Sequence, residues 1–214
     1  MTTSFESATA CIAFIDLAGF SAITDVYGDH EAIEMLQHFE AMVHKALGDR
    51  HSPVKWIGDE VMLAFDDCEA ALLVLGALLP VCRADSSLPL TRTGVHHGNV
   101  IRRGGDFFGA TVNIAARITS IATPGQLLAT KPIAKVAMAS GISMRELGDT
   151  RLRSVANPLA LYSIEVAPTV EASWIDPVCK MHAPYKGYQK ASGHWFCSQR
   201  CADAFKRNPS VYVS

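Results

Sequence analysis

The chain has 214 residues, 49% of them hydrophobic, and a formal net charge of −2. That is ample apolar material for a packed core in one large or two unequal domains, and the near-neutral balance gives no argument for a nucleic-acid or membrane partner. No basic segment precedes an apolar stretch at the N-terminus. The longest apolar run, Ala70 to Cys82, contains Pro80 and falls short of the ~20 residues that span a bilayer, so a soluble, cytoplasmic protein is expected.

Ala8 to Asp16 reads as a buried strand running into an aspartate, followed by a small-residue turn, Ala18-Gly19-Phe20-Ser21, that opens a helix. Ala32 to Leu47 places Ile33, Leu36, Phe39, Met42, Val43 and Leu47 at helical spacing. Val54 to Ile57 and Val61 to Phe65 flank Gly58-Asp59, a tight-hairpin signal because such turns need positive φ. Cys68 to Val81 is a second amphipathic helix with Asp66 and Asp67 as cap candidates. Thr93 to Ile101 alternates as a strand, and Gly109 to Ile121 is helical and closes before Pro124-Gly125. Then come a strand at Gln126 to Thr130, a short helix at Pro132 to Ala139, and strands at Ser143 to Leu147 and Leu159 to Val166. Strands that alternate with and outnumber helices predict an α/β sandwich, helices packed on one sheet.

Residues 167 to 173 are small, polar and Pro-containing, which reads as a linker. Beyond it the composition changes: Trp174 to Ser214 holds half the cysteines and two of the three tryptophans. A boundary is therefore expected near residue 170. Cys11, Cys68 and Cys82 sit singly in apolar segments, as buried free thiols do. Cys179, Cys197 and Cys201 cluster near the C-terminus, which in a cytosolic-looking chain favours metal or redox chemistry over disulfides.

Three stretches carry chemistry: the strand and turn from Ala13 to Ser21, the hairpin Lys55-Trp56-Ile57-Gly58-Asp59-Glu60, and Gly104 to Arg117 with Asp106, Asn113 and Arg117. In that order they resemble the catalytic domain of the class III adenylate and guanylate cyclases, over roughly residues 8 to 166. The resemblance implies a ferredoxin-like nucleotide cyclase fold and two divalent cations per site, Mg²⁺ or Mn²⁺, which suit hard oxygen ligands. Asp16 and Asp59 match the metal-binding aspartates, Leu17 the residue that lends a backbone carbonyl, and Gly19 and Phe20 the substrate-contacting turn. Lys55 and Asp106 match the base-reading pair of adenine-specific members. A lysine donates to adenine N1 and an aspartate accepts from its amino group, whereas guanine's O6 and N1–H suit the pair less well.

Asn113 and Arg117, four apart and so on one helix face, match the residues that orient the ribose and stabilise the transition state. Arg153 matches a basic residue that contacts the terminal phosphates, with Arg151 as a rival and Ser154 where the family has glycine. His96 and His97 read as structural. Family sites form between two catalytic domains, and this chain carries both residue sets in one. The resemblance therefore implies a head-to-tail homodimer with two shared sites, converting ATP to 3′,5′-cyclic AMP and pyrophosphate. A guanylate cyclase and a catalytically silent, dimeric nucleotide-binding sensor are the alternatives.

The C-terminal stretch, with Asp176-Pro177-Val178-Cys179 and Phe196-Cys197-Ser198-Gln199-Arg200-Cys201, resembles a YHS domain, a small module related to metal-binding TRASH domains. Lys180 stands where that family has glycine. The implied division is a catalytic domain over 1–166, a linker over 167–173 and a YHS domain over 174–214. Cys179, Cys197 and Cys201 are the candidate ligands for Zn²⁺ or Cu⁺, with His182 or His194 as the fourth. Such a module would sense metal or redox state; since three cysteines fall short of a full tetrahedral set, an unmetallated packing module is the alternative.

Overall fold

The computed structural model describes residues 5–168, 172–182, 189–191 and 193–212; residues 169–171 of the expected linker and the other gaps in the expected C-terminal module lie outside it. Its central strand is β1 (Glu6–Leu17), whose middle residues are buried on both faces because apolar side chains point both ways. After it come α1 (Phe20–Tyr27), α2 (Asp29–Leu47), the hairpin of β2 (Lys55–Ile57) and β3 (Glu60–Phe65), and α3 (Cys68–Ala84). Next are β4 (Thr91–Arg103), β5 (Asp106–Phe108), α4 (Ala110–Ile121), β6 (Leu127–Thr130), α5 (Lys131–Ala139), β7 (Met144–Thr150) and β8 (Leu159–Ile164). The sheet runs β2-β3-β1-β4-β6-β8-β7, with β5 folded back on β4. Only the β4–β6 pair is parallel; the others are antiparallel.

The pleat of β1 sorts the core. Cys11, Ala13, Ile15 and Leu17 pack in one apolar cluster with residues of α2, α3 and α5, while Ala10, Ile12 and Phe14 join Ala115 of α4 in another. Asp16 continues the second set, toward the α4 side. Gly94 of β4 seats that helix: a β-carbon there would lie 2.7 Å from Ala115 O and closer still to Thr119, so only glycine permits the approach.

Most expected elements are present, β1, α2, α3 and β4 with longer ends and β2, α4, β6 and β8 slightly shorter, and β5 is an additional strand. Asp67 caps α3, its carboxylate accepting from Ala70 N at 2.8 Å, and the hairpin tip has Gly58 at φ 64°. Three details differ. The helical region before β2 is two helices, broken at Gly28 (φ 96°). Pro80 is accommodated inside α3, which runs on to Ala84. Ile33 is 54% exposed, because the buried stripe of α2 runs through Ala32, Phe39, Val43 and Leu47 and leaves its neighbour outside.

The C-terminal segment forms β9 (Gln189–Ala191), β10 (His194–Phe196), α6 (Gln199–Arg207) and α7 (Pro209–Tyr212). It shares an apolar cluster with the first two helices: Ile23 and Ala32 are buried together with Val178, Cys179, Phe196, Cys201 and Phe205. Backbone bonds add to this contact. Ala18 N donates to Leu90 O at 2.9 Å, and Leu90 N donates to Lys180 O at 3.1 Å. Among the described residues no helix is long and apolar enough to cross a membrane.

Candidate functional site

Strand register brings the first set of polar side chains together. Asp16, near the end of β1, lies opposite Glu60 on β3 and Arg92 on β4. The Arg92 guanidinium donates to the Asp16 carboxylate, through Nε at 2.8 Å and through a second, closer nitrogen. Asp59 follows Gly58 at the hairpin tip, within the field of Asp16. Burial and the Asp16 charge push its carboxyl up to about 6. Burial and the charges of Asp16 and Asp59 likewise push Glu60 up to about 7. Three neighbouring carboxylates answered by one guanidinium leave an excess of negative charge, of the kind that hard divalent cations neutralise. Leu17 is 1% exposed, so its side chain belongs to the core and only its backbone is available as a ligand.

The second set joins Lys55, on the same hairpin as Asp59, to Asp106 of β5. Lys55 Nζ donates to both carboxylate oxygens of Asp106, at 2.9 and 2.7 Å, and lies 5.7 Å from the centre of the Phe108 ring. Both side chains of the pair are about one-third exposed. Asn113 and Arg117 project from the exposed face of α4, whose buried face carries Thr111, Ala115 and Ile118. Arg153 and its rival Arg151 are both exposed, and Ser154 takes φ 62°, the left-handed conformation that explains a glycine preference there. Asp16 faces Arg92 near the start of β4, whereas Asp106 pairs with Arg103 at its far end. His96 is a satisfied interior histidine: Nδ1 lies 2.8 Å from Thr130 Oγ1, and burial, then His97, lowers it to about 4.

Residues 3–166 match the family model of the adenylate and guanylate cyclase catalytic domain. The chain belongs to the adenylate and guanylate cyclase family. A pH-sensitive adenylate cyclase of Mycobacterium tuberculosis is 31% identical over 166 residues, 74% of this chain and 41% of that protein. An adenylate cyclase of Streptomyces griseus is 35% identical over 125 residues, 58% of this chain and 31% of that protein. The chain thus spans less than half the length of either relative. Among solved structures, an adenylate cyclase from Trypanosoma brucei in its monomeric state superposes with a TM-score of 0.67 at 20% identity, covering 75% of this chain and 89% of that one. An adenylyl cyclase from P. aeruginosa gives 0.64 at 17% identity, covering 75% and 95%. These likenesses establish the cyclase fold.

Beyond the residues matched to the cyclase family, the C-terminal segment gathers one further cluster. Ligand-capable atoms of Asp176, Cys179, Cys197 and Cys201 lie within 4.8 Å of one another. Cys179 Sγ is 3.3 Å and Cys201 Sγ 3.6 Å from Cys197 Sγ, and Cys197 sits in the loop before α6 rather than on it. Asp176 takes the fourth place expected of a histidine. Its two oxygens accept from the backbone N–H groups of Val178, Cys179 and Cys197, which aims the carboxylate into the cluster. His194 instead packs against Phe205 and Phe196, and His182 pairs as an isolated bridge with Ile175.

Hydrogen bonds from Cys179 and Cys197 hold the Cys201 thiol down to about 4, while burial pushes Cys179 up. The Tyr27 hydroxyl at the end of α1 reaches the same cluster, 3.0 Å from Cys197 Sγ, 3.3 Å from Cys201 Sγ and 2.7 Å from Ser198 Oγ. Cys11, Cys68 and Cys82 are free and buried, apart from this group. Sequence reasoning missed Arg92, Glu60, Asp176 and Tyr27 as members of these sites. Glu60 and Asp176 at least stand inside recognisable motifs, whereas Arg92 and Tyr27 carry no local signal.

Proposed function

We propose that the chain is an adenylate cyclase that converts ATP to 3′,5′-cyclic AMP and pyrophosphate. The observation that carries the reading is the convergence of Asp16 and Asp59 at one sheet end, two carboxylates that crowd each other where a cation would relieve them. Mg²⁺ or Mn²⁺ bound there would acidify the ribose 3′-hydroxyl and neutralise charge on the triphosphate. The 3′-oxygen then bonds the α-phosphorus, the bridging P–O bond to the β-phosphate breaks, pyrophosphate departs and the hydroxyl proton passes to solvent. Arg92 serves as a phosphate anchor once Asp16 turns to a metal. Lys55 and Asp106, already ion-paired, present a donor and an acceptor to the adenine edge. Asn113 orients the ribose, and the always-charged Arg117 meets charge building on the α-phosphate. Arg153 is assigned to the terminal phosphates.

The site is assigned to a head-to-tail homodimer. Its support is the register of β4, which sets Asp16 and Asp106 toward opposite ends of one strand, so that a second copy would bring the two sets together. Product analysis of the purified protein with ATP or GTP and Mn²⁺, beside an Asp59→Ala control, tests the reading. Cyclic AMP from the wild type alone supports it; cyclic GMP would make it a guanylate cyclase, and no cyclic nucleotide a silent binding module.

The C-terminal segment is read as a YHS-like metal module. Three thiols and a carboxylate, buried within bonding reach of one centre, form a closed four-donor set suited to Zn²⁺ or Cu⁺. Elemental analysis of the purified protein, with and without a thiol-competing chelator, checks this.

A further inference from the structure

Lys180 sits between the two sites. It holds φ 57°, a left-handed conformation that a β-carbon disfavours and glycine adopts freely. A lysine kept there points to a use for the side chain itself. Its carbonyl is tied to Leu90 N, and the next residue, Met181, bridges Pro89, so its backbone is stitched to the segment leading into β4 and Arg92. The side-chain stem lies over the turn after Asp16: a β-carbon on Gly19 would come within 2.9 Å of Lys180 Cγ. Val178 O and the Cys179 backbone flank the same glycine.

The Lys180 ammonium has no direct ionic partner among the described residues. Among the described residues the Lys180 ammonium bonds only a neutral acceptor, Pro177 O at 2.6 Å, and no carboxylate lies within ion-pair reach of it. At longer range Asp176 and Cys179 attract it, and Arg92 opposes them more weakly. A half-buried ammonium bonded only to a carbonyl, beside a glycine turn and a guanidinium already held by Asp16, is free to exchange its partner for a polyanion.

We propose that Lys180 is a substrate-binding residue, its ammonium moving from Pro177 O to the terminal phosphates of a nucleotide held at the Asp16–Gly19 turn, so that the C-terminal module completes the triphosphate end of the site. The inference rests on the cyclase reading above. It also connects the neighbouring thiol cluster to substrate binding, because anchoring Cys179 holds the next residue against Gly19.

The test uses the full chain and two variants. Lys180→Gly removes the ammonium while suiting the backbone, so it should fold at least as well as the wild type. Lys180→Arg keeps a cation. The expected result is a rise of about tenfold in KM for ATP in Lys180→Gly, with kcat within about twofold. Inhibition by inorganic tripolyphosphate should weaken by the same factor, inhibition by cyclic AMP should be unchanged, and Lys180→Arg should restore most of the loss. Unchanged KM and tripolyphosphate inhibition would overturn the assignment, and tighter binding in Lys180→Gly would make the lysine a plug that competes with substrate. If the wild type turns over neither ATP nor GTP, the cyclase reading fails by itself. Calorimetric titration of wild type and Lys180→Gly with tripolyphosphate and Mn²⁺ then decides the lysine separately, equal affinities counting against it.

Discussion

The chain builds two clusters of metal-capable side chains, and they differ in almost every property that decides what a cation does. At the end of the central sheet Asp16, Asp59 and Glu60 offer oxygen only and are partly exposed, and burial and the Asp16 charge raise the proton affinity of the other two. In the C-terminal module Asp176, Cys179, Cys197 and Cys201 offer three sulfurs and one carboxylate in a mostly buried pocket, with the carboxylate pre-aimed by backbone N–H groups. On the reading proposed above, the first arrangement would leave coordination positions open for a substrate and the second would use all four donors at once. Open oxygen sites suit hard cations that exchange and do chemistry, and closed thiolate sites suit soft cations that hold a fold.

The difference can be pressed from the strongest effect to the weakest. Asp59→Ala should lower cyclic AMP formation by about 10³-fold or more, while the zinc or copper content of the protein stays the same. A loss of both would mean that the two clusters are not independent. Cys201→Ser should do the reverse, emptying the thiolate site and lowering Tm by about 5 °C or more, with far less effect on turnover than Asp59→Ala; elemental analysis beside a melting curve reads both.

Acid should press on both sites next. Asp59 titrates at about 6 and Glu60 at about 7, both above their ordinary values. Protonation of either favours the fold, so the metal-free protein loses that contribution as pH rises through 6 to 7, where bound Mn²⁺ should restore it. The rise in Tm on adding Mn²⁺ should therefore grow across that window, and apparent Mn²⁺ affinity should fall by about tenfold per pH unit below it. In the thiolate site only Cys201 is held down, to about 4, whereas burial pushes Cys179 up and Asp176 up to about 6, so a metal there must displace protons too and should also leave on acidification. The smallest effect is expected from Tyr27→Phe, which removes one hydroxyl from the thiol cluster and should cost about 1 kcal/mol in a denaturation curve. A larger loss than that of Cys201→Ser would mean that the phenol, rather than a metal, holds the module in place.

How much of this was legible in the sequence followed the range of the interaction responsible. The hairpin at Gly58-Asp59 and the cap at Asp67 are local events, since one needs a positive φ and the other a carboxylate three residues before an N–H. Asp16, Asp59, Lys55 and Asp106 were readable through a family pattern, and the structure adds the direct contact of Lys55 with Asp106 and the field of Asp16 on Asp59. Arg92 was not readable, because it looks like any strand residue until antiparallel pairing sets it opposite Asp16. Asp176 was passed over because a search for soft-metal ligands looks for cysteine and histidine, and nothing local says that three backbone N–H groups will turn an aspartate inward. Ile33 misled because helical spacing alone cannot say which of two adjacent apolar residues faces the neighbouring element.

The apolar cluster that joins Ile23 and Ala32 to Val178, Phe196 and Phe205 bears on how such a protein could be taken apart or rebuilt. A change in composition near residue 170 suggests a bead on a string, to be clipped off and hung on another enzyme. Packing draws the seam elsewhere, since α1 belongs to both sides of it. A graft that carried only the residues after 170 would leave Ile23 bare in the donor and Phe205 bare in the recipient. The portable unit is the module together with the helix it grips.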